Sequence, residues 1–277
     1  MKLVRTVAGL RQELAVRWEG KAGIGLVPTM GAFHEGHLAL MRAARRECET
    51  VVISLFVNPT QFGAGEDLAT YPRDEDRDSR LAQEAGVDVL FVPPVEEVYP
   101  PGFDTWVDPG AMATVLEGAW RPGHFQGVAT VCVRLFALVR PTVAYFGRKD
   151  AQQVAVIKQV VRDLGLPLEI RALPTERDPD GLASSSRNAY LSADERALAL
   201  ALPRALQAGL RAHRSRTDAV AAACAVLEAQ PGVSVDYVAV ADLDGPTLAA
   251  AVRIGTTRLI DNVRLEEDAP ADADANA

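Results

Sequence analysis

The chain predicts an α/β fold built on a parallel sheet, followed by a smaller C-terminal α+β domain, and three observations carry that expectation. Short apolar runs rich in Val, Ile and Phe alternate with helical patterns through the first two-thirds of the 277 residues. Runs of that kind are strands buried on both faces, and helices between them imply right-handed parallel crossovers. The alternation gives way after Pro174 to polar, Gly and Ser residues, and the length suits one large or two modest domains. The expected division is residues 1–174, residues 175–267, and a tail at 268–277 whose Asp/Ala/Asn/Pro composition is that of a disordered segment.

The elements follow in order. Residues 23–28 read as a strand, 34–48 as a helix and 51–57 as a strand. Residues 73–85 have helical character and Gly86 supplies the stop. Residues 87–92 form the next strand, closed by Pro93-Pro94. A buried helix is expected over 125–139, a strand over 142–146, a helix over 150–164 ended by Gly165, and a strand over 168–173. The polar stretch 175–188 reads as a functional loop or interdomain hinge. Ser192-Ala193-Asp194-Glu195 is a capping box that opens a long Ala/Leu/Arg helix. A second helix is expected over 217–229, then strands near 233–240 and 257–261, with no internal repeat.

Composition narrows the function classes. Apolar residues make up 48% and charged residues 24%, which is ample for a buried core. The 29 Lys and Arg against 37 Asp and Glu leave a net charge of −8, which argues against a broad grip on nucleic acid. Charges such as Lys158 and Arg204 interrupt every long apolar run, so no membrane span is expected. The start Met1-Lys2-Leu3-Val4-Arg5 lacks the apolar core of a signal peptide. Cys48, Cys132 and Cys224 lie far apart with no CxxC pair, so they read as small hydrophobes, neither disulfide-bonded nor zinc-binding. A soluble protein of a reducing, cytoplasmic compartment is expected.

Chemistry concentrates in residues 26–37, Leu-Val-Pro-Thr-Met-Gly-Ala-Phe-His-Glu-Gly-His, which join a strand to a helix. Turns at the carboxyl edge of a parallel sheet are where nucleotide phosphates settle. Gly31 admits close backbone approach, unpaired helix N–H groups favour an anion, and Gly36 removes a side chain where a phosphate chain could press. His34 and His37, three residues apart, share a helix face and can donate to phosphate oxygens whose charge grows during transfer. A cap or surface role is the alternative for each histidine. A zinc pair lacks a third ligand nearby except Glu35, which belongs to another face. This His-x-Gly-His element resembles that of the Rossmann-like nucleotidylyltransferase superfamily, and residues 27–37 resemble the pantothenate synthetase (pantoate–β-alanine ligase) family more specifically.

Further segments in the same order extend the resemblance over about residues 24–191. Phe56-Val57-Asn58-Pro59-Thr60-Gln61-Phe62-Gly63 offers Asn58 and Gln61 amides suited to a hydroxyl and a carboxylate, with a plain Asn-Pro turn as the alternative. Arg121-Pro122-Gly123-His124 precedes the apolar helix, and His124 reads at least as well as a loop or capping residue as a site residue. In Gly147-Arg148-Lys149-Asp150 the Lys149 charge can meet a phosphate and Asp150 can accept from ribose hydroxyls, with Gln153 one turn on. The family carries an acidic residue where Arg148 stands. The hydroxyls and guanidinium of Ser184-Ser185-Ser186-Arg187-Asn188 suit a polyphosphate clamp, although composition alone reads as a linker.

The resemblance implies a homodimeric enzyme that uses ATP and Mg²⁺ to join pantoate to β-alanine through a pantoyl adenylate. It assigns ATP to Met30, Gly31, Ala32, Phe33, His34, Glu35, Gly36, His37, Gly147, Arg148, Lys149, Asp150, Glu176, Ser184, Ser185, Ser186 and Arg187. Pantoate falls to Gln61 and Gln153, and β-alanine to Gln61. His34, His37, Lys149, Ser185, Ser186 and Arg187 would stabilise the shifting phosphate charge, with His37 the family's proton donor. The loop at 184–188 would close on ATP and shield the adenylate from water. Competing readings are another nucleotidylyltransferase, which would want Arg or Lys near Gln61, and a non-enzymatic nucleotide binder, which needs no paired histidines.

Overall fold

The computed structural model describes residues 1–19 and 23–266, so the tail expected at 268–277 lies outside the described residues. Contacts divide the chain into two units. The first comprises Met1–Glu176 together with Ser184–Ser186; the second comprises Arg177–Ala183 and the residues from Arg187 on. The first crossing between these units falls after Glu176, where the sequence reading placed a division at 174/175, and Ser184–Ser186 group with the first unit.

The first unit runs β1 (Lys2–Val4), α1 (Val7–Glu19), β2 (Ile24–Thr29), α2 (Glu35–Glu47), β3 (Thr50–Leu55), α3 (Glu75–Glu84), β4 (Val89–Phe91), α4 (Val95–Val98), α5 (Glu117–Trp120), α6 (His124–Val139), β5 (Val143–Gly147), α7 (Ala151–Asp163) and β6 (Glu169–Leu173). Its six strands form one sheet in the order β1-β4-β3-β2-β5-β6, and every pairing is parallel. Successive strand residues point to opposite faces. Leu26, Val52, Ala144 and Phe146 join a core with α1, α6 and α7, while Val27, Val51, Ile53 and Tyr145 join another with α2 and α3. Covering both faces is what the uninterrupted apolar strands demanded. Cys48 and Cys132 fill these cores as small hydrophobes, and burial pushes the Cys132 thiol up to about 12.

Chain order along the sheet reverses at β2, which lies between β3 and β5. A sheet wound outward in both directions from one strand opens a crevice beyond the carboxyl ends at that point. The loops after β3, β2 and β5 carry the three candidate motifs.

The second unit contains α8 (Ala193–Ala199), α9 (Ala201–Arg214), α10 (Ala219–Glu228) and an antiparallel sheet β7 (Val233–Asp242), β8 (Pro246–Ile254), β9 (Thr257–Arg264). The capping box at Ser192 and Glu195 is present, but the expected long helix divides after Ala199. Pro203 explains this, because it has no N–H to give Ala199, four residues back, and its ring crowds that carbonyl. Strand β8 was not expected: its buried Ala249, Ala250 and Ala251 favour helix intrinsically, and only the sheet neighbours on both sides make them a strand. Strand β1 and helix α1 were also unread, since three residues and a weakly patterned helix hide a core contribution of Leu10 and Leu14.

Candidate active site

The turn after β2 is built from an unusual backbone. Gly31 at φ +88° and Ala32 at φ +52° place two consecutive residues in the left-handed region, which costs an alanine about 1 kcal/mol. Asp78 on α3 holds the turn in place. Its carboxylate accepts from the Ala32 N–H at 2.7 Å and the Phe33 N–H at 2.8 Å, while the neighbouring Arg77 guanidinium donates to the Phe33 carbonyl at 2.9 Å. Asp78 is only 1% exposed. Burial raises its pKa, against the opposing effect of the two N–H bonds and Arg77. Sequence reading missed this pair, although a signal existed: Asp78 stands one helical turn before buried Ala82, on the face of α3 that should be apolar.

The two histidines cap the helix that follows. His34 is the N-cap of α2, and its Nδ1 accepts from the Gly36 N–H at 3.2 Å. The Nδ1 of His37 accepts in turn from the His34 N–H at 3.4 Å. An imidazole nitrogen that accepts carries no proton, so both rings are neutral with the proton on Nε2. The ring centroids lie 4.1 Å apart. Desolvation above all, with the nearby Lys149 charge adding to it, pushes His37 down to about 3.

This arrangement alters how the turn can meet an anion. The amides of Ala32 and Phe33 are taken by Asp78, those of His34 and Gly36 by imidazoles, and those of His37 and Leu38 by the His34 carbonyl. Most of the helix-start N–H groups expected from the sequence to meet an anion are thus already engaged within the turn. Gly36 has a similar internal reason, since a Cβ there would stand 3.0 Å from His34 Cε1. Phe33 is a core residue bracing the His37 ring at 5.5 Å, and exposed Glu35 pairs with Arg42. Glu176 approaches from the end of the first unit, its Cβ 3.9 Å from where a Gly36 Cβ would stand.

Beyond β3, a turn of 3-10 helix at Pro59–Gln61 buries Gln61. Its Nε2 donates to the Met30 sulfur at 3.1 Å and its Oε1 accepts from Asn58 at 3.0 Å. Asn58 is committed to the scaffold: its Nδ2 also donates to the Gly127 carbonyl, and its Oδ1 accepts from Tyr99 and Thr60. Of the two, Gln61 is the amide joined through Met30 to the histidine turn.

Beyond β5, Arg148, Lys149 and Asp150 form a second turn of 3-10 helix directly after Gly147. Lys149 is half-buried, its Nζ 3.7 Å from Asp150 Oδ1, and its charge acts on His37. Asp150 is the N-cap of α7 yet makes no side-chain capping bond. The adjacent glutamines divide their work. Gln152 is buried and holds Met112, Val115 and Glu117, whereas Gln153 is half-buried in the first turn of α7. In the polar loop, the Ser184 N–H donates to the Glu176 carbonyl at 2.9 Å, and Ser186 Oγ lies 3.3 Å from the Tyr71 hydroxyl. Ser185 lies between them in the first unit, while Arg187 and Asn188 belong to the second, where Asn188 donates to Asp178 and Ala183.

The chain is similar to known proteins along nearly its whole length. The family model described as pantoate-beta-alanine ligase matches residues 2–264. Pantothenate synthetase of Chloroflexus aurantiacus is 52% identical over 281 residues, covering 96% of this chain and 99% of the relative. That of Moorella thermoacetica is 50% identical over 280 residues, with 96% and 99% covered. The crystal structure of pantothenate synthetase from Thermus thermophilus superposes with a TM-score of 0.91 at 48% identity, covering 96% of this chain and all of that one (100%). Pantoate-beta-alanine ligase from Francisella tularensis, complexed with beta-gamma ATP and beta-alanine, gives a TM-score of 0.81 at 33% identity, with 97% and 99% covered. With a family model spanning nearly its whole length and relatives this similar end to end, the chain belongs to the pantoate–β-alanine ligase family.

Proposed function

We propose that the chain condenses (R)-pantoate with β-alanine at the expense of ATP, giving pantothenate, AMP and pyrophosphate. The pantoate carboxylate oxygen attacks the α-phosphorus, the bond to the β-phosphate oxygen breaks, and pyrophosphate leaves. The β-alanine amine then attacks the acyl carbon of the adenylate, AMP leaves, and the nitrogen sheds a proton. The observation that carries the reading is the pair of neutral imidazoles beside Lys149 at the sheet's reversal point, both with Nδ1 engaged by main-chain amides.

In this reading His34 and His37 donate from Nε2 to phosphate oxygens as charge moves toward the leaving pyrophosphate. Lys149 contributes a fixed positive charge, and Ser184, Ser185 and Ser186 add hydroxyl and amide donors. Arg187 is assigned to the triphosphate by resemblance. Gln61 and Gln153 orient pantoate, and Gln61 also receives β-alanine. Positioning supplies most of the acceleration, because the bonds that change belong to the substrates. Among the described residues no group of three or more His, Cys, Asp or Glu could hold a metal ion. Mg²⁺ therefore fits as part of the nucleotide substrate, held by phosphate oxygens and its own waters, where it neutralises phosphate charge. A cytoplasmic homodimer completes the reading.

The test is pyrophosphate release from ATP and pantoate without β-alanine. One equivalent per site is expected, followed by turnover when β-alanine is added; a nucleotide-binding protein without ligase activity releases none. His37→Ala should slow adenylate formation more than about tenfold in a single turnover, and a smaller effect removes its assigned role.

A further inference from the structure

A third imidazole, His124 at the start of α6, has hydrogen bonds that are the reverse of those at His34 and His37. Its Nδ1 lies 2.8 Å from the Gln61 carbonyl oxygen. A carbonyl only accepts, so Nδ1 carries the proton. Its Nε2 lies 3.2 Å from Arg121 Nη1, a group that only donates, so Nε2 is bare. Arg121 is itself fixed by a bidentate pair with Glu66, Nε to Oε1 at 2.8 Å and Nη2 to Oε2 at 2.6 Å. Its Nη2 also reaches the Gln61 carbonyl at 3.3 Å. Desolvation and the Arg121 charge lower His124 to about 4, so the ring is neutral at neutral pH and its two bonds set the tautomer.

The consequence lies at Gln61. The turn at Pro59–Gln61 bonds its own Asn58 and Pro59 carbonyls, from the Gln61 and Phe62 amides. The Gln61 carbonyl is instead tied outward, to His124 and Arg121. Fixing that carbonyl fixes the peptide plane and hence the direction in which the Gln61 side chain leaves the backbone. That side chain is held at its far end by Asn58 and Met30. Helix α6 meets the same turn again at Gly127, where a Cβ would stand 2.4 Å from the Thr60 oxygen. Main chain, side chain and helix contact all converge on one residue.

We propose that His124 is a positioning residue for the ligase reaction: backed by Arg121 and Glu66, it aims the Gln61 amide at pantoate and β-alanine by holding the Gln61 carbonyl. This rests on Gln61 being a substrate ligand.

The experiment compares His124→Phe, His124→Asn and His124→Gln with wild type and Gln61→Ala, measuring KM for each substrate and direct pantoate binding by calorimetry. An asparagine amide nitrogen can occupy the place of histidine Nδ1, and a glutamine nitrogen that of Nε2. H124F and H124Q should raise KM for pantoate and β-alanine about tenfold, the equivalent of one hydrogen bond at ~1.4 kcal/mol. H124N should stay within about threefold, and KM for ATP within about twofold throughout. A residue that only stabilised the loop would weaken all three substrates together, or fail to distinguish H124N from H124Q. Either result overturns the proposal, as does an unchanged pantoate KM in H124F and H124Q. If Gln61→Ala leaves pantoate binding intact, the assignment of Gln61 fails first and the proposal with it.

Discussion

Asp78→Asn separates the cost of folding from the cost of catalysis at the histidine turn. In the native protein the carboxylate receives two backbone N–H groups, at 2.7 and 2.8 Å. Charge-assisted bonds of this kind contribute about 1.5–3 kcal/mol each. Against them stands the loss of hydration of a carboxylate that is 1% exposed, several kcal/mol per buried ion. The two nearly cancel, and the raised pKa says that desolvation wins. Removing the charge should therefore change unfolding stability by no more than about 1 kcal/mol. The turn fares worse. An asparagine offers one acceptor oxygen and presents its NH₂ to the second N–H, so Ala32 or Phe33 must move away from a backbone already strained at two residues. Displacement of about 1 Å at a catalytic group costs about a hundredfold in rate. Pre-steady-state pyrophosphate release with ATP and pantoate, paired with urea unfolding, measures both quantities. Adenylation within about threefold of wild type would refute the clamp. A stability loss above about 3 kcal/mol would show instead that the carboxylate is simply structural.

Three further outcomes follow from the same geometry. Gly127→Ala should cost about 2–3 kcal/mol in urea unfolding and raise pantoate KM, because its Cβ would stand 2.4 Å from the Thr60 carbonyl oxygen, which is backbone and cannot swing aside; an unchanged unfolding midpoint counts against that packing. For His37 the folded pKa of about 3 lies below the ordinary 6.5, so the unfolded chain binds the proton first as pH falls. Its contribution to stability is complete above 6.5 and declines toward 3, by roughly 2 kcal/mol at pH 5, and comparison of His37→Asn with wild type between pH 7 and pH 5 should isolate that difference. His34→Asn should leave stability within about 0.5 kcal/mol, since an asparagine oxygen can cap the Gly36 amide. It should nevertheless slow adenylation about a hundredfold, since the Nε2–H donor is gone; equal losses of stability and activity would contradict the division.

The parallel sheet and its motif-bearing loops were legible because they rest on local signals. Continuous apolar strands, glycine stops after helices and a strand-turn-helix with two histidines are each written within a dozen residues. The order β1-β4-β3-β2-β5-β6 was not, since strand neighbours are chosen by contacts remote in sequence. The same limit hid Asp78, which reaches the turn from 46 residues away, and the Arg121–Glu66 pair, 55 residues apart. Strand β8 was obscured for a different reason: its alanines have a helical preference that the sheet overrides. Asn58 and Gln61 looked alike in the sequence, and only the bonds around Asn58 show that its amide is spent on scaffold.

The spacing of the histidine motif follows from folding as much as from chemistry. A helix start leaves amides without intrahelical partners, and their positive end ordinarily serves an anion directly. Here His34 and His37 accept two of those amides through Nδ1, which obliges each ring to carry its proton on Nε2. The remaining N–H of each ring is thereby placed at the tip of a side chain, farther from the backbone and with the tautomer already chosen. Gly36 spares the His34 ring a tight contact, since a Cβ there would stand 3.0 Å from His34 Cε1. One set of hydrogen bonds thus closes the helix and fixes the tautomer of both rings. Neutral imidazoles suit the task better than charged ones: a cation would lose its Nδ1 acceptor, release the cap and dismantle the turn that positions it.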